Sequence, residues 1–187
     1  MISIIIPCKK EKNIAEMMIE TEKCFPDAQI IVSGDRYGYG KGWALREGLK
    51  EAVGEIIVFV DGDLDIHPKE INKVVNGLLI YDIVVGTKKP SGPWHRKVIT
   101  VCSRLFVEIL FGLNMDTQTG LKAFKRDCLP RWKDNSFAFD IEILHKAKKK
   151  GYTIGERDIQ VTIKKAMPIK SIIRFIYGAI KIKLCLK

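Results

Sequence analysis

Apolar and polar positions along the chain fall into short alternating blocks. Ile2–Ile6 is an unbroken apolar run closed by Pro7, the pattern of a strand buried on both faces. Asn13–Cys24 returns its apolar positions at helical spacing. Gln29–Val32 reads as a second buried strand, ended by Ser33-Gly34-Asp35, and Gly38–Gly42 as a flexible loop before a helix over Trp43–Val53. Ile56–Val60 is a third strand, ended by Asp61-Gly62-Asp63. Pro68–Leu79 is a helix with proline in its first turn, and Ile83–Val85 a fourth strand stopped by Gly86. This repeated strand–helix alternation predicts an α/β fold, a mostly parallel sheet with helices on both faces.

The second half is less regular. His95–Phe111 predicts an amphipathic helix, Asp116–Gly120 a polar loop and Leu121–Phe124 a short strand. Phe139–Lys150 predicts a helix that ends at Gly151 with lysines in its last turn, which suits the helix dipole. Ile159–Ile163 alternates as a strand would. Pro168–Lys187 places isoleucines at helical spacing with Lys170, Arg174, Lys181, Lys183 and Lys187 between them, a basic amphipathic helix. The organisation expected is one domain over residues 1–167 followed by that helix over 168–187.

Composition narrows the class. With 187 residues, 47% hydrophobic and 29% charged, the chain can build one ordinary core and is neither disordered, collagen-like nor a polytopic membrane protein. No apolar run reaches the roughly 20 residues that span a bilayer; the best, Val98–Leu113, is interrupted by Arg104 and Glu108. The first ten residues lack the basic region and cleavage pattern of a secretory leader, so the expected location is the cytoplasm. The net charge of +10 is confined to one end. Residues 1–144 balance 20 basic against 20 acidic side chains, whereas 145–187 carry 12 basic against Glu156 and Asp158. A neutral body with a basic, isoleucine-rich tail suits an anionic membrane surface better than nucleic acid, which calls for basic and aromatic residues interleaved along one face. The five cysteines show no CxxC and read as reduced thiols, several of them buried.

The strongest local chemistry is Asp61-Gly62-Asp63, with Asp65 two residues on. Carboxylates after a buried strand lie at the carboxyl edge of a parallel sheet, where open α/β folds bind ligands. Their hard oxygens suit Mg²⁺ or Mn²⁺. The alternative is a solvated acidic turn capping the next helix. Gly40-Lys41-Gly42 is not a phosphate loop, because five residues rather than four separate Gly34 from Gly40 and no Ser or Thr follows the lysine. It is either a nucleotide-facing lysine or a plain turn. His67 and His145 read as surface or cap residues, and Trp43, Trp94 and Trp132 as packing residues.

The order of the motifs is more specific than any one of them. Pro7 with Glu11, then GKGWALREGLKEAVGEIIVFVDGDLDIHPKEI, Asp82–Lys88, Asp116–Phe124 and Phe139-Asp-Ile-Glu142 together resemble the family 2 glycosyltransferases of GT-A fold. The resemblance runs from about Ile2 to Ser171 and is closest to dolichyl-phosphate mannose synthases and related polyprenyl-phosphate glycosyltransferases. It implies an inverting, metal-dependent transfer of a sugar from a GDP- or UDP-linked donor to a polyprenyl (dolichyl) phosphate. It implies that Pro7, Glu11, Asp35, Lys41, Asp61, Gly62 and Lys88 bind the nucleotide sugar. Asp61, Asp63 and Asp65 would hold the metal, and Arg96 with Thr100 would meet the acceptor phosphate. Asp63, Lys88 and Gln118 would stand at the reaction centre. The family's opening P-x-Y-N-E is here Pro7-Cys8-Lys9-Lys10-Glu11, and the segment between Asp35 and Gly40 is shortened, so the base is left unassigned.

The resemblance also predicts peripheral attachment to the cytoplasmic face of a membrane through the basic helix; the alternative is that its isoleucines pack on the body or on a second subunit. A non-lipid acceptor and an inactive sugar-nucleotide binder are the competing functions. A sugar-nucleotide pyrophosphorylase would need a glycine-rich signature after the first strand, which is absent.

Overall fold

The computed structural model describes residues 1–9, 13–88, 94–136, 138–162 and 169–185, and for 94–100, 169–174 and 185 the backbone alone. Six strands form one sheet: β1 (Ile2–Cys8), β2 (Gln29–Gly34), β3 (Ile56–Phe59), β4 (Ile83–Thr87), β5 (Lys122–Lys125) and β6 (Ile154–Asp158). The helices are α1 (Ile14–Cys24), α2 (Lys41–Glu51), α3 (Ile71–Gly77), α4 (Trp94–Phe111), α5 (Phe139–Lys149) and α6 (Ile169–Cys185). The sheet order is β2-β1-β3-β5-β4-β6. β1 pairs in parallel with β2 and β3, and β4 with β6, while β5 runs antiparallel to both β3 and β4. Five strands therefore point one way and β5 alone is reversed. The loop that enters β5 consequently lies at the edge where the other strands leave the sheet.

Alternation along each strand divides the core into two layers. Ile5, Ile31, Ile57, Phe59, Ile83, Val85 and Phe124 face α2, α4, α5 and α6. Ile4, Ile6, Val58, Val60, Val84 and Ala123 face α1 and α3. Helices on both faces are what the unbroken apolar runs demanded. Pro7 does not end β1 as expected. It pairs in register with Ser33 of β2, and β3 reaches only as far as Ile5, so the ladder on that side has already stopped where the missing N–H would matter.

Further boundaries differ from the sequence pattern: α2 opens at Lys41, inside the loop expected over Gly38–Gly42, and β4 runs through Gly86 to Thr87. The helix expected from Pro68 opens as a 3₁₀ turn, Pro68–Glu70, before α3, and Leu79 and Ile80 are exposed beyond its end. The last strand is Ile154–Asp158 and not 159–163. β6 is an edge strand whose polar Glu156, Arg157 and Asp158 hide it from a hydrophobicity scan. Gly155 is required there, because a Cβ would sit 2.2 Å from the Tyr81 ring. Ile159, which prompted the expectation, is buried just past the strand, its N–H donating to the Thr87 carbonyl at 2.9 Å.

α6 divides its apolar residues. Phe175, Ala179 and Ile182 enter the core layer of α4 and α5, while Ile176, Tyr177, Ile180 and Leu184 stay exposed. α4 packs beside it and exposes Val101, Leu105 and Ile109, one residue per turn. Among the described residues no helix is long and apolar enough to cross a membrane. The expectation of several buried cysteines is not met: Cys8, Cys24 and Cys128 are half-buried and Cys102 is exposed. His145 is buried rather than at the surface, with Nδ1 3.1 Å from the Phe111 carbonyl, and burial lowers its pKa below the ordinary value. His67 does cap its helix, Nδ1 accepting from the Lys69 N–H at 3.2 Å. Trp132 is core, Trp43 is half-buried and packs at a tilt against the exposed Tyr39, and the side chain of Trp94 lies outside the described residues.

Candidate active site

The ends of β1, β2 and β3 meet around a cleft of about 300 Å³. Pro7, Asp35, Lys41, Asp61, Gly62 and Asp63 line it, all expected from the sequence, joined by Cys8, Lys9 and Gly40. Lys88, Gln118 and Asp65, also expected at the site, do not line this cleft. Glu11 lies outside the described residues, as do the side chains of Arg96 and Thr100.

Asp35 follows β2 and is buried. Its Oδ1 accepts from the Tyr39 N–H at 2.7 Å and its Oδ2 from the Gly40 N–H at 3.0 Å, so the carboxylate shapes the loop that leads into α2. Gly40 has φ +114, and a Cβ there would meet the Asn135 carbonyl oxygen at 2.2 Å. The Gly42 N–H donates to the same carbonyl at 3.0 Å, and the Trp132 indole donates to the Gly42 carbonyl at 3.0 Å. The glycines of Gly40-Lys41-Gly42 thus let the backbone press against residues 132–136, which aims the lysine between them into the site.

Lys41 opens α2 with its ammonium 2.6 Å from Asp61 Oδ1. Burial pulls its pKa down, but Asp61 and Asp140 more than offset this and hold it above the ordinary lysine value. Asp140, in the first turn of α5, pairs at 2.9 Å with Lys122 of β5, and both side chains are almost fully buried, 2% exposed for the lysine and 6% for the aspartate. Lys122 also donates to the Thr119 carbonyl at 2.6 Å. Burial raises the Asp140 pKa against the pull of Lys122 and Lys41. The result is an alternating row of charges, Lys122, Asp140, Lys41, Asp61, running from the middle of the sheet to the cleft.

Asp63 lies two residues beyond Asp61 and lines the same cleft. Burial, reinforced by repulsion from Asp61 and Asp65, raises its pKa above the ordinary carboxylate value. Leu64 is in the left-handed region at φ 60, a strained conformation for a branched side chain. That bend folds the Asp65 N–H back onto Asp63 Oδ1 at 3.0 Å, while the Asp65 carbonyl accepts from Thr162 at 2.7 Å. These two bonds use the Asp65 backbone and not its carboxylate, and among the described residues no group of three His, Cys, Asp or Glu gathers as a metal site.

Asp61 and Asp63 still fit a hard divalent ion of the kind that takes one or two carboxylates and completes its shell with substrate phosphates and water. The room at Asp61 is kept by Gly120: a Cβ there would lie 1.9 Å from Asp61 Oδ2. Glycine is forced by the close approach of the reversed strand's entry loop to the end of β3.

The same loop carries Asp116, whose Oδ2 accepts from Arg104 of α4 at 3.3 Å, and that guanidinium also reaches the Thr87 hydroxyl at 3.2 Å. Arg104 Nε and Thr119 Oγ1 are buried without a hydrogen-bond partner. Sequence reasoning had Lys122 and Asp140 inside its motifs but gave them no role. It noted Arg104 only as a charge that interrupts an apolar run. The available signal was charge in the wrong place: a lysine inside an apolar strand run and an aspartate between Phe139 and Ile141.

The family model of glycosyl transferase family 2 matches residues 11–126. Undecaprenyl-phosphate mannosyltransferase of Micrococcus luteus is 23% identical over 142 residues, which cover 70% of this chain and 55% of that protein, so the chain spans about half its length. An uncharacterized protein of Methanocaldococcus jannaschii is 26% identical, with 95% of this chain and 99% of that protein covered. Among solved structures, glucosyl-3-phosphoglycerate synthase from Mycobacterium tuberculosis in complex with Mn²⁺, UDP-glucose and phosphoglyceric acid superposes with a TM-score of 0.77. The identity is 18%, and 98% of this chain and 78% of that chain are covered. At that identity the likeness shows the fold, a GT-A-like α/β fold with a mixed six-stranded sheet. Because the matched residues make up more than half of its length, the chain belongs to glycosyl transferase family 2.

Proposed function

We propose that this chain transfers a glycosyl group, with inversion, from a GDP- or UDP-linked sugar to a polyprenyl phosphate at the cytoplasmic face of a membrane. The observation that carries the transfer reaction is the pair Asp61 and Asp63 beside Lys41 in one cleft at the strand ends. Mg²⁺ or Mn²⁺ held by that pair supplies charge neutralisation for the departing nucleoside diphosphate. Lys41 stands ready on the diphosphate side, and Lys88 is assigned there from its motif. Pro7, Glu11, Asp35 and Gly62 are assigned to the nucleotide, Gln118 to the reaction centre, and Arg96 with Thr100 to the acceptor phosphate. A phosphate acceptor is already largely anionic at neutral pH, its second pKa being about 6, so no strong general base is needed.

The lipid acceptor is supported by the undecaprenyl-phosphate enzyme among the relatives and by the exposed apolar rows on α4 and α6. Beside these rows Lys181 of α6 is exposed, while Lys183 turns onto α4 and donates to the Leu110 carbonyl. A membrane face built this way buries apolar side chains in the interface and sets lysines against anionic headgroups, each worth about 1 kcal/mol. A second reading, a small phosphorylated acceptor, is favoured by the phosphoglyceric acid bound in the structural neighbour. The two are separated by offering the full chain UDP- and GDP-sugars with Mn²⁺ and either polyprenyl phosphate in anionic vesicles or 3-phosphoglycerate. Lipid-linked product, lost in Asp63→Ala, supports the proposal. Product from 3-phosphoglycerate alone refutes the lipid acceptor, and donor binding without turnover on either refutes the enzyme.

A further inference from the structure

Lys41 occupies a position that the proposed metal chemistry does not call for. Its ammonium lies 2.6 Å from Asp61 Oδ1, on one of the two carboxylates that a divalent ion would use. The lysine is 13% exposed, flanked by the Phe139 ring at 5.8 Å and held from behind by the field of Asp140. The pair is therefore neither a solvated surface bridge nor an accident of a long side chain. It joins the first residue of α2 to the end of β3, and the backbone on both sides is fixed by Gly40 and Gly120.

We propose that Lys41 is a built-in counter-cation for Asp61, which an incoming divalent ion must displace and which the donor diphosphate draws away. Without a nucleotide the ammonium neutralises Asp61, so free Mg²⁺ or Mn²⁺ meets a carboxylate already paired. A diphosphate offers the ammonium a new anionic partner in the same cleft and leaves Asp61 to the ion. Asp140 keeps the lysine at the site through the exchange, because it attracts the ammonium from the side away from the cleft. Ion and donor are thereby coupled: each binds better when the other is present, and a single side chain carries part of that coupling. The enzyme then does not fill its metal site until the substrate that needs the metal has arrived. This rests on the reading of Asp61 and Asp63 as the ion's ligands.

The test is Mn²⁺ binding to the full chain in the absence of nucleotide, followed by electron paramagnetic resonance of the free ion. Lys41→Met removes the competitor and should tighten Mn²⁺ binding about tenfold, the low end of what one contacting charge does to the affinity of a carboxylate for a cation. UDP or GDP alone should bind about tenfold more weakly to the same variant. Lys41→Arg keeps the charge that balances Asp61 and Asp140, and its planar fork grips a carboxylate with two hydrogen bonds. It should therefore weaken Mn²⁺ binding severalfold, which leaves a readout if the methionine variant fails to fold. A purely structural lysine predicts weaker Mn²⁺ binding in the methionine variant and unchanged Mn²⁺ binding in the arginine variant, which keeps the charge. A lysine that touches only diphosphate predicts no change in Mn²⁺ binding. Either result overturns the proposal. Asp63→Asn separates the two levels: if it binds Mn²⁺ as the wild type does, the ligand assignment itself fails. If it loses Mn²⁺ while neither Lys41 variant moves, only the lysine proposal fails.

Discussion

Gly120 offers the sharpest perturbation of the site, because the residue is small for one identifiable reason. A methyl group at this position would stand 1.9 Å from Asp61 Oδ2 and 2.4 Å from its Cγ. Ordinary contact begins near 3.4 Å, so in Gly120→Ala the carboxylate has to retreat by about 1.5 Å. Its retreat breaks the 2.6 Å pair with Lys41 and moves Asp61 away from Asp63. Overpacking of this kind costs about 1–3 kcal/mol of stability, which for a chain of this length is about 2–12 °C in Tm. The functional cost is larger, since a displacement near 1 Å at a reacting site removes about 100-fold in rate. Gly77→Ala is the matched control: its Cβ would meet Val84 Cγ2 at 2.9 Å in the α3 layer, with no link to the cleft. The assay is Mn²⁺-dependent binding of UDP or GDP by calorimetry, beside thermal melts of both variants. Both should lose stability, but only Gly120→Ala should lose metal-dependent nucleotide binding. Undiminished metal-dependent binding in Gly120→Ala would refute the placement of Asp61 in the ion's shell.

Two further outcomes follow from the charged groups. Asp82 ties three strands together: its carboxylate accepts from the Thr153 N–H at 3.0 Å, the Thr153 hydroxyl at 2.8 Å and Lys125 at 2.9 Å. Those bonds, the Thr153 N–H foremost, hold its pKa at about 2 against an ordinary 3.8. A folded-state pKa below the unfolded one means stability present above pH 3.8 and lost as pH falls towards 2. Urea midpoints measured across that window should fall for the wild type and fall less steeply for Asp82→Asn. For the buried pair, Asp140→Ala leaves the Lys122 ammonium with only the Thr119 carbonyl and should cost about 3–5 kcal/mol in urea unfolding. The double variant Lys122→Met, Asp140→Leu should recover most of that stability without recovering glycosyl transfer. Recovery of both would mean that the pair has no role beyond packing.

The layered fold was legible because β1, β3 and β4 are buried on both faces and leave unbroken apolar signatures, and the edge strand β2, only partly buried, keeps a short apolar run over residues 30–32. The cleft was legible for the same reason: Asp61, Asp63 and Asp35 follow such strands directly, and Lys41 follows a glycine that only close packing explains. Strand β6 was not legible, since an edge strand need not be apolar, and its neighbour Ile159 imitated the pattern that β6 lacks. Nor could α6 be read in full. Helical spacing identifies an apolar stripe but not what covers it, and here Phe175, Ala179 and Ile182 pack inward while Ile176, Ile180 and Leu184 remain outside. The bend between Asp63 and Asp65 was not legible either, because the left-handed backbone at Leu64 has no signature in residue types.

The direction of β5 accounts for much of the site that motifs alone could not assemble. Had it run parallel to its neighbours, residues 116–121 would enter the sheet at the edge opposite the cleft. Reversed, β5 brings Gly120 against Asp61 and starts the strand with Lys122 level with Phe59 of β3 and Val85 of β4. A lysine there is enclosed by apolar side chains and needs a buried anion, which the first turn of α5 supplies as Asp140. That anion is also within the field of Lys41, and so the internal balance of the sheet is joined to the balance of the cleft. Setting four charges in a row, two of them almost fully buried, is a poor way to gain stability, because the buried ones must be drawn out of water. It is a good way to make the cleft sensitive to the charge of what enters it, since the row ends on the carboxylate that a metal–diphosphate pair would engage.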